Sequence, residues 1–193
     1  MLGKRLIDTY FRPPNVATNA EYLVVAGGGG LQTRAGYTGT YGGGGAGGYR
    51  SSVVGQPSGG GASAESLFAL QPSTSYTVIV GAGGAYKGGD SSFYTITSEG
   101  GGQGKTNFNE NGDGGSGGGA AAVYAGGLGT ANQGFNGGCC GCTSTPSGGG
   151  GAASVGENGC TDGTYYGGDG GLGLTSSITG TAVLYSTGAG APG

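Results

Sequence analysis

Glycine occupies 55 of the 193 positions of this chain, about four times its usual share of roughly 7%. A glycine held in regular structure costs roughly 0.5–1 kcal/mol relative to alanine, because the unfolded chain is freer at that position. Summed over the chain, this cost is on the order of tens of kcal/mol, and it exceeds the roughly 5–15 kcal/mol net stability of a domain. The missing side chain must therefore be used, either for backbone with positive φ or for backbones too close together for a Cβ.

Packed polyproline-II helices use glycine in the second way, as collagen does with one glycine at every third residue. No such strict period exists here: the glycines between Gly100 and Gly115 hold no single phase, and the chain has only six prolines. The sequence therefore excludes a collagen triple helix. It predicts glycine-rich, partly polyproline-II-like tracts.

Large apolar side chains are scarce, since Val, Ile, Leu and Phe together number 29. That is about 15% of the chain, below the roughly 20% at which a conventional core becomes doubtful. Disorder fits poorly as well, because the chain has 17 charged residues, a net charge of −3 and twelve tyrosines. We therefore expect an ordered chain that gains burial by forming a homo-oligomer, as small cores often require.

The charge distribution is uneven along the chain. All seven basic residues lie at or before Lys105, against five acidic residues, a net charge of +2, whereas residues 106–193 carry five acidic residues and no basic one, a net charge of −5. An acidic, base-free half argues against a nucleic-acid partner. No apolar run approaches the roughly 20 residues that span a bilayer, and the first residues lack the apolar stretch of a signal peptide. No membrane insertion is expected.

Residues 1–21 differ in composition from the rest, with one glycine, two consecutive prolines and three basic residues. Such a segment is suited to ordering on a partner, and we predict an N-terminal docking arm that attaches to another protein. An ordinary first strand and loop is the alternative. The apolar residues of the candidate arm are Leu2, Leu6, Ile7, Tyr10 and Phe11.

From residue 22 onward, short apolar stretches rich in β-branched and aromatic residues run into glycine tracts, and helical periodicity is absent. This pattern predicts a mostly β fold, a short-stranded β-sandwich with almost no α-helix. We expect Tyr22–Val25 and Tyr76–Val80 to be buried in one β-core. The other strand candidates are Ser51–Val54, Ser66–Leu70, Ser92–Thr97, Ala121–Ala125 and Ala182–Ser186.

The strand signal thins after Thr97, where glycine tracts alternate with polar or aromatic islands. We therefore divide the chain into the arm of residues 1–21, a β-rich, glycine-rich core at 22–99, and polyglycine tracts with loop islands and a final strand at 100–193.

Two motifs approach nucleotide-binding patterns without matching them. In Gly100–Thr106 the first glycine of a phosphate-binding loop falls at Glu99, and in Val78–Tyr86 the third glycine of a dinucleotide fingerprint falls at Tyr86. The chain has no histidine, and its carboxylates are not paired in apolar surroundings that would shift their pKa values. We expect neither a cofactor nor an enzyme.

Four cysteines cluster in the second half of the chain: Cys139, Cys140, Cys142 and Cys160. They could be reduced thiols, two disulfides or a four-thiolate zinc site. An adjacent pair is awkward for tetrahedral geometry, so we assign no metal.

Glu21–Gly30, Gly42–Arg50 and Tyr76–Gly84 resemble the glycine-rich domain of bacteriophage tail-fibre and adhesin-like proteins, cyanophage proteins among them. Gly88–Phe93 and Tyr165–Gly180 are similar in style, so that the resemblance covers about residues 21–188. It implies a β-rich, polyglycine-rich structural domain on the virion, often at a receptor-binding tip, and it implies the trimeric symmetry of phage fibres.

The resemblance leads us to expect a virion protein, assembled in the host cytoplasm as a homotrimer and docked through residues 1–21 onto another virion protein. It would be a short tail fibre or fibre-tip adhesin contacting a host cell-surface receptor. The alternative is a purely structural component, such as a capsid-surface or connector fibre. Because loops carry function on rigid scaffolds, the candidate receptor contacts are Arg34, Tyr37, Tyr41, Phe108, Asn109, Phe135, Tyr165 and Tyr166.

Overall fold

The computed structural model describes residues 18–31, 40–106, 111–121, 124–139, 145–159 and 166–191. These residues contain nine short strands and no helix, which confirms the mostly β, helix-poor prediction. The strands are β1 (Thr18–Ala20), β2 (Leu23–Val25), β3 (Tyr49–Ser51), β4 (Phe68–Leu70), β5 (Val78–Ile79), β6 (Ser91–Phe93), β7 (Ile96–Ser98), β8 (Leu174–Ser176) and β9 (Val183–Tyr185).

The strands form four small antiparallel sheets with the orders β1-β4, β2-β3, β5-β6-β7 and β8-β9. In the second sheet Val24 lies opposite Arg50, and in the fourth Thr175 lies opposite Leu184. An isolated two-stranded ladder is only marginally stable in water. Ladders of two or three residues therefore cannot by themselves account for an ordered chain of this length.

Most of the order comes from extended glycine-rich segments between the sheets, which we call rods. The clearest is the rod at 42–48, which lies antiparallel to the rod at 99–105. Every third N–H of the first rod donates to a carbonyl oxygen of the second, and these acceptors are also three residues apart. The pairs are Gly42 with Lys105, Gly45 with Gly102, and Gly48 with Glu99, at 3.2, 2.8 and 2.8 Å. A repeat of three residues is that of a polyproline-II helix.

The rod at 42–48 bonds to several other rods in the same manner. The N–H groups of Gly43 and Ala46 donate to the carbonyl oxygens of Ser147 and Gly150, three residues apart in the parallel direction. With three residues per turn, successive N–H groups point in three directions, so each rod can be hydrogen-bonded on several sides. The glycine tracts therefore form a bundle of parallel and antiparallel rods.

Close packing, rather than positive φ, is the main use of glycine in this bundle. Among the described glycines only Gly55, Gly60, Gly61 and Gly180 have positive φ. Within the rods, an added Cβ would collide with a neighbouring backbone, as at Gly47, where it would meet the carbonyl oxygen of Ala26. The absence of side chains brings the backbones within hydrogen-bonding reach of each other.

The buried interior is correspondingly backbone and small side chains. The buried residues of the rods include Ala46, Ala120, Ser116 and Ser147, and Tyr49 is the largest fully buried side chain among the described residues. Backbone hydrogen bonds between rods thus occupy the position that a hydrophobic core holds in most domains.

The expected burial of Tyr22–Val25 is confirmed at Tyr22 and Val24, which are 8% and 7% exposed, but the expectation that Tyr76–Val80 is buried in the same β-core was wrong. β2 and β5 belong to different sheets, and Val78, Ile79 and Val80 are 64%, 55% and 83% exposed. The reason is that β5 is an edge strand, with β6 on one side and no described strand on the other.

Three strand boundaries also differ from expectation. Ser92–Thr97 is a hairpin of β6 and β7, because Tyr94 turns the chain with φ of 54°. β3 ends at Ser51 instead of running to Val54, and the described part of Ala121–Ala125 contains no strand. β4 and β9 lie within their predicted ranges. Rods from both sides of residue 99 share one bundle, and the division of the chain at that point stays a prediction.

Candidate functional site

The bundle has two distinct ends, and the four sheets meet at one of them, which we call the sheet end. The rings of Phe68 and Phe93 lie 4.9 Å apart and join the β1-β4 sheet to the β5-β6-β7 sheet. Gln56, just after β3, donates from Nε2 to Ser177 at 2.7 Å and accepts at Oε1 from Ser176 at 2.8 Å, which ties in the β8-β9 sheet. β1 brings the N-terminal part of the described chain to this same end.

A charged network joins three parts of the sheet end. Arg50 donates from Nε and Nη2 to the two carboxylate oxygens of Glu65, at 2.8 and 2.6 Å, and from Nη1 to the carbonyl oxygen of Thr97 at 3.0 Å. The Tyr22 hydroxyl donates to the same carboxylate at 2.7 Å. The network therefore links β2 and β3 to β7 and to the segment before β4.

The electrostatics of this network favour one protonation state. Burial and the neighbouring Glu65 carboxylate raise the pKa of Tyr22 far above its ordinary value. Burial alone would raise the pKa of Glu65, but hydrogen bonds from Arg50 and Tyr22 outweigh it and hold that pKa below its usual range. At neutral pH, Glu65 is thus a fixed carboxylate whose role is structural. Sequence analysis did not identify it, since 15 residues separate Arg50 from Glu65.

The opposite end of the bundle, which we call the loop end, holds the rod ends that lie away from the sheets. Backbone hydrogen bonds hold the nearby rod ends side by side. The pairs, donor first, are Gly42 with Lys105, Lys105 with Gly119, Ala120 with Gly138, Ser147 with Ala120, and Gly168 with Pro146. Connections between rods are not confined to this end, since the turn at Thr130–Gln133 joins two rods near the sheet end.

Two of the predicted receptor-contact residues lie at the loop end within the described chain. Tyr41 is half-buried beside Gly42, and Tyr166 is 40% exposed two residues before Gly168. Phe135 lies towards the sheet end, because Gln133 just before it accepts from the N–H of Glu99 at 2.7 Å. The structure therefore does not place Phe135 with the two tyrosines. Arg34, Tyr37, Phe108, Asn109 and Tyr165 lie outside the described residues.

The cysteine cluster is described only at Cys139, which is exposed and whose N–H donates to Asn158 at 2.7 Å. Cys140, Cys142 and Cys160 lie outside the described residues, as do the arm residues Leu2, Leu6, Ile7, Tyr10 and Phe11. Among the described residues, no three His, Cys, Asp or Glu side chains are grouped so that they could hold a metal ion. Within the same ranges there is also no helix of the length and hydropathy needed to cross a bilayer.

Comparison with known proteins shows the family of this chain. The chain matches a family described as a glycine-rich domain over residues 7–193, nearly its whole length, and it belongs to that family. No curated protein and no solved structure was found to match it.

Proposed function

We propose that this protein is a virion structural protein, a short tail fibre or fibre tip that contacts the host cell surface through its loop end. The observation that carries the proposal is the division of the bundle into two ends. The sheet end holds β1, which follows residues 1–17 in the chain, and the loop end holds the rod ends beside Tyr41 and Tyr166. One end is thus available for attachment and the other for contact.

The physical properties of the bundle suit this task. The rods are fixed by backbone hydrogen bonds and by close contacts of glycine with neighbouring backbone. Loops on a rigid scaffold can vary in sequence while the scaffold stays unchanged, and tyrosine provides a large contact surface at low entropic cost. Tyr41 and Tyr166 are the described residues at this end that fit such a role.

The resemblance to tail-fibre and adhesin-like proteins supplies the rest of the proposal. The chain would assemble as a homotrimer, dock through residues 1–21 onto another virion protein, and reside in virions assembled in the host cytoplasm. A purely structural role, as a capsid-surface or connector fibre, is the second candidate. The half-burial of Tyr41 favours it, since an aromatic ring can simply cover backbone that glycine leaves bare.

Immunogold labelling of intact particles with an antibody against this chain tests the proposal directly. We expect label at the distal end of the tail. Label on the capsid or along a connector would support the structural candidate, and particles without the chain would refute both.

The contact role is tested with a double variant, Tyr41→Ser with Tyr166→Ser, and a control, Val54→Ser, at an exposed position near the sheet end. We expect the double variant to abolish adsorption to host cells with little change in melting temperature, and the control to adsorb normally. Lost stability with normal adsorption of the remaining folded protein would mark the two tyrosines as packing residues.

A further inference from the structure

An apolar groove of about 330 Å³ lies at the sheet end. It is lined by Glu21 and Tyr22 with β2, by β5 with Val80, and by β6, and Glu21 is the single charged residue among those that line it. Apart from Glu21, its walls are apolar side chains, serines and strand backbone.

The backbone edge of β2 is unpaired on one side. The N–H of Ser52 donates to the carbonyl oxygen of Tyr22, and that of Ala26 donates to Gly48, both at 3.1 Å. Antiparallel partners alternate between hydrogen-bonded and non-hydrogen-bonded pairs, so Leu23, between these positions, points its N–H and carbonyl oxygen away from β3. The same alternation applies to Val25. No described backbone group bonds to either residue on that outer side.

The edge of β5 is unpaired for the same reason. The N–H of Tyr94 donates to the carbonyl oxygen of Thr77 at 2.8 Å, so the next residue, Val78, directs its backbone groups away from β6. β5 is the outermost strand of its sheet, and Val78, Ile79 and Val80 are three consecutive exposed β-branched residues. Folded proteins usually protect such an edge with charge, proline or a covering segment.

We propose that this groove binds an extended, mainly apolar strand from a second copy of this chain, which adds to the free edge of β5. The edge requires a partner that offers backbone N–H and carbonyl groups, which an extended polypeptide provides. The apolar walls require apolar side chains, and Glu21 favours a nearby basic residue.

The chain's own sequence contains a stretch of the required composition. Residues 2–11, which lie outside the described residues, combine Leu2, Leu6 and Ile7 with the basic Lys4 and Arg5. Their charge complements Glu21. The groove of a second copy and the virion protein of the proposed function would compete for this segment, and the peptide assay below shows whether the groove takes it. The choice of a second copy as partner rests on the homo-oligomer in the proposed function, whereas the groove and its free edges do not depend on it.

The test measures self-association of the full-length chain by sedimentation. In Val80→Lys a charge is placed on the free edge at a position that is 83% exposed, so folding should be unaffected. Val155→Lys, at 56% exposure outside the groove, is the matched control. Burying one valine at an interface accounts for at least about a tenfold change in affinity. We therefore expect self-association at least about tenfold weaker in Val80→Lys and unchanged in Val155→Lys.

Two further measurements identify the occupant. A synthetic peptide with the sequence of residues 2–12 should compete with self-association, while a version with both Lys4 and Arg5 replaced by Glu should compete less. Hydrogen exchange at the Val78 amide should slow on assembly, because that N–H gains a partner. Equal association of the two variants with unchanged Val78 exchange would overturn the proposal, as would a chain that stays monomeric at about 100 µM. Particle labelling is independent of these assays, so either proposal can fail alone.

Discussion

A single methyl group in the middle of a rod should destabilise the protein severely. Gly45 is buried in the rod at 42–48, and its N–H donates to Gly102 at 2.8 Å while its carbonyl oxygen accepts from Gly29 at 2.9 Å. A Cβ there would collide with the backbone of Ser116 and Gly117. None of these atoms is the end of a flexible side chain, so the rods themselves must move apart.

The size of the effect follows from the hydrogen bonds that the separation breaks. Leaving a buried backbone donor or acceptor unsatisfied costs about 1–3 kcal/mol, and two such bonds meet at Gly45. The more restricted unfolded state of alanine offsets roughly 0.4–1 kcal/mol of this. We expect Gly45→Ala to lower the free energy of unfolding by about 1–5 kcal/mol, which corresponds to a melting temperature lower by roughly 2–20 °C.

Gly28→Ala is the matched control. Gly28 belongs to the neighbouring rod, its φ is not positive, and a Cβ there would lie 3.8 Å from the nearest atom, the carbonyl oxygen of Gly45. Alanine should therefore be neutral or stabilise by up to about 1 kcal/mol. Both variants are compared by urea and thermal unfolding. Equal stabilities for the two would refute the conclusion that glycine is used here for close packing.

Two further predictions concern the sheet end and a turn. Glu65→Gln should destabilise at neutral pH by about 1 kcal/mol, after allowance for solvent screening. The folded-state pKa of Glu65 is depressed, so the stability that this carboxylate contributes is present above its unfolded-state pKa and is lost as pH falls through its folded-state pKa. The free energy of unfolding of the variant in urea should therefore depend less on pH than that of the unmodified protein below about pH 5. An unchanged acid profile would contradict this. Ser73→Gly should raise the melting temperature by roughly 2–4 °C, since Ser73 is exposed with φ of 58°, whereas Ser186→Gly, at φ of 55°, also loses a 2.9 Å hydrogen bond to Gly47 and should not.

The sequence by itself predicted short strands and showed that so many glycines must have a structural purpose. β-Branched stretches next to glycine predicted strands at β2, β5 and β9, because that composition is local information. The energetic cost of glycine implied one of two uses, positive φ or close approach of backbones. The three-residue hydrogen-bond repeat between rods showed that close approach is the main one. That choice depends on which backbones approach each other, and no single glycine tract specifies its neighbours.

The tertiary structure alone decided the positions of the candidate surfaces. Val78, Ile79 and Val80 have the composition of a buried strand, yet their place at the edge of a sheet leaves them exposed. Three consecutive uncharged β-branched residues could have indicated an unprotected edge. The two ends of the bundle arise from pairings such as Gly43 with Ser147, which join residues about a hundred positions apart. Glycine offers no side chain that could encode such a pairing locally, so the register is fixed only when all the rods pack together.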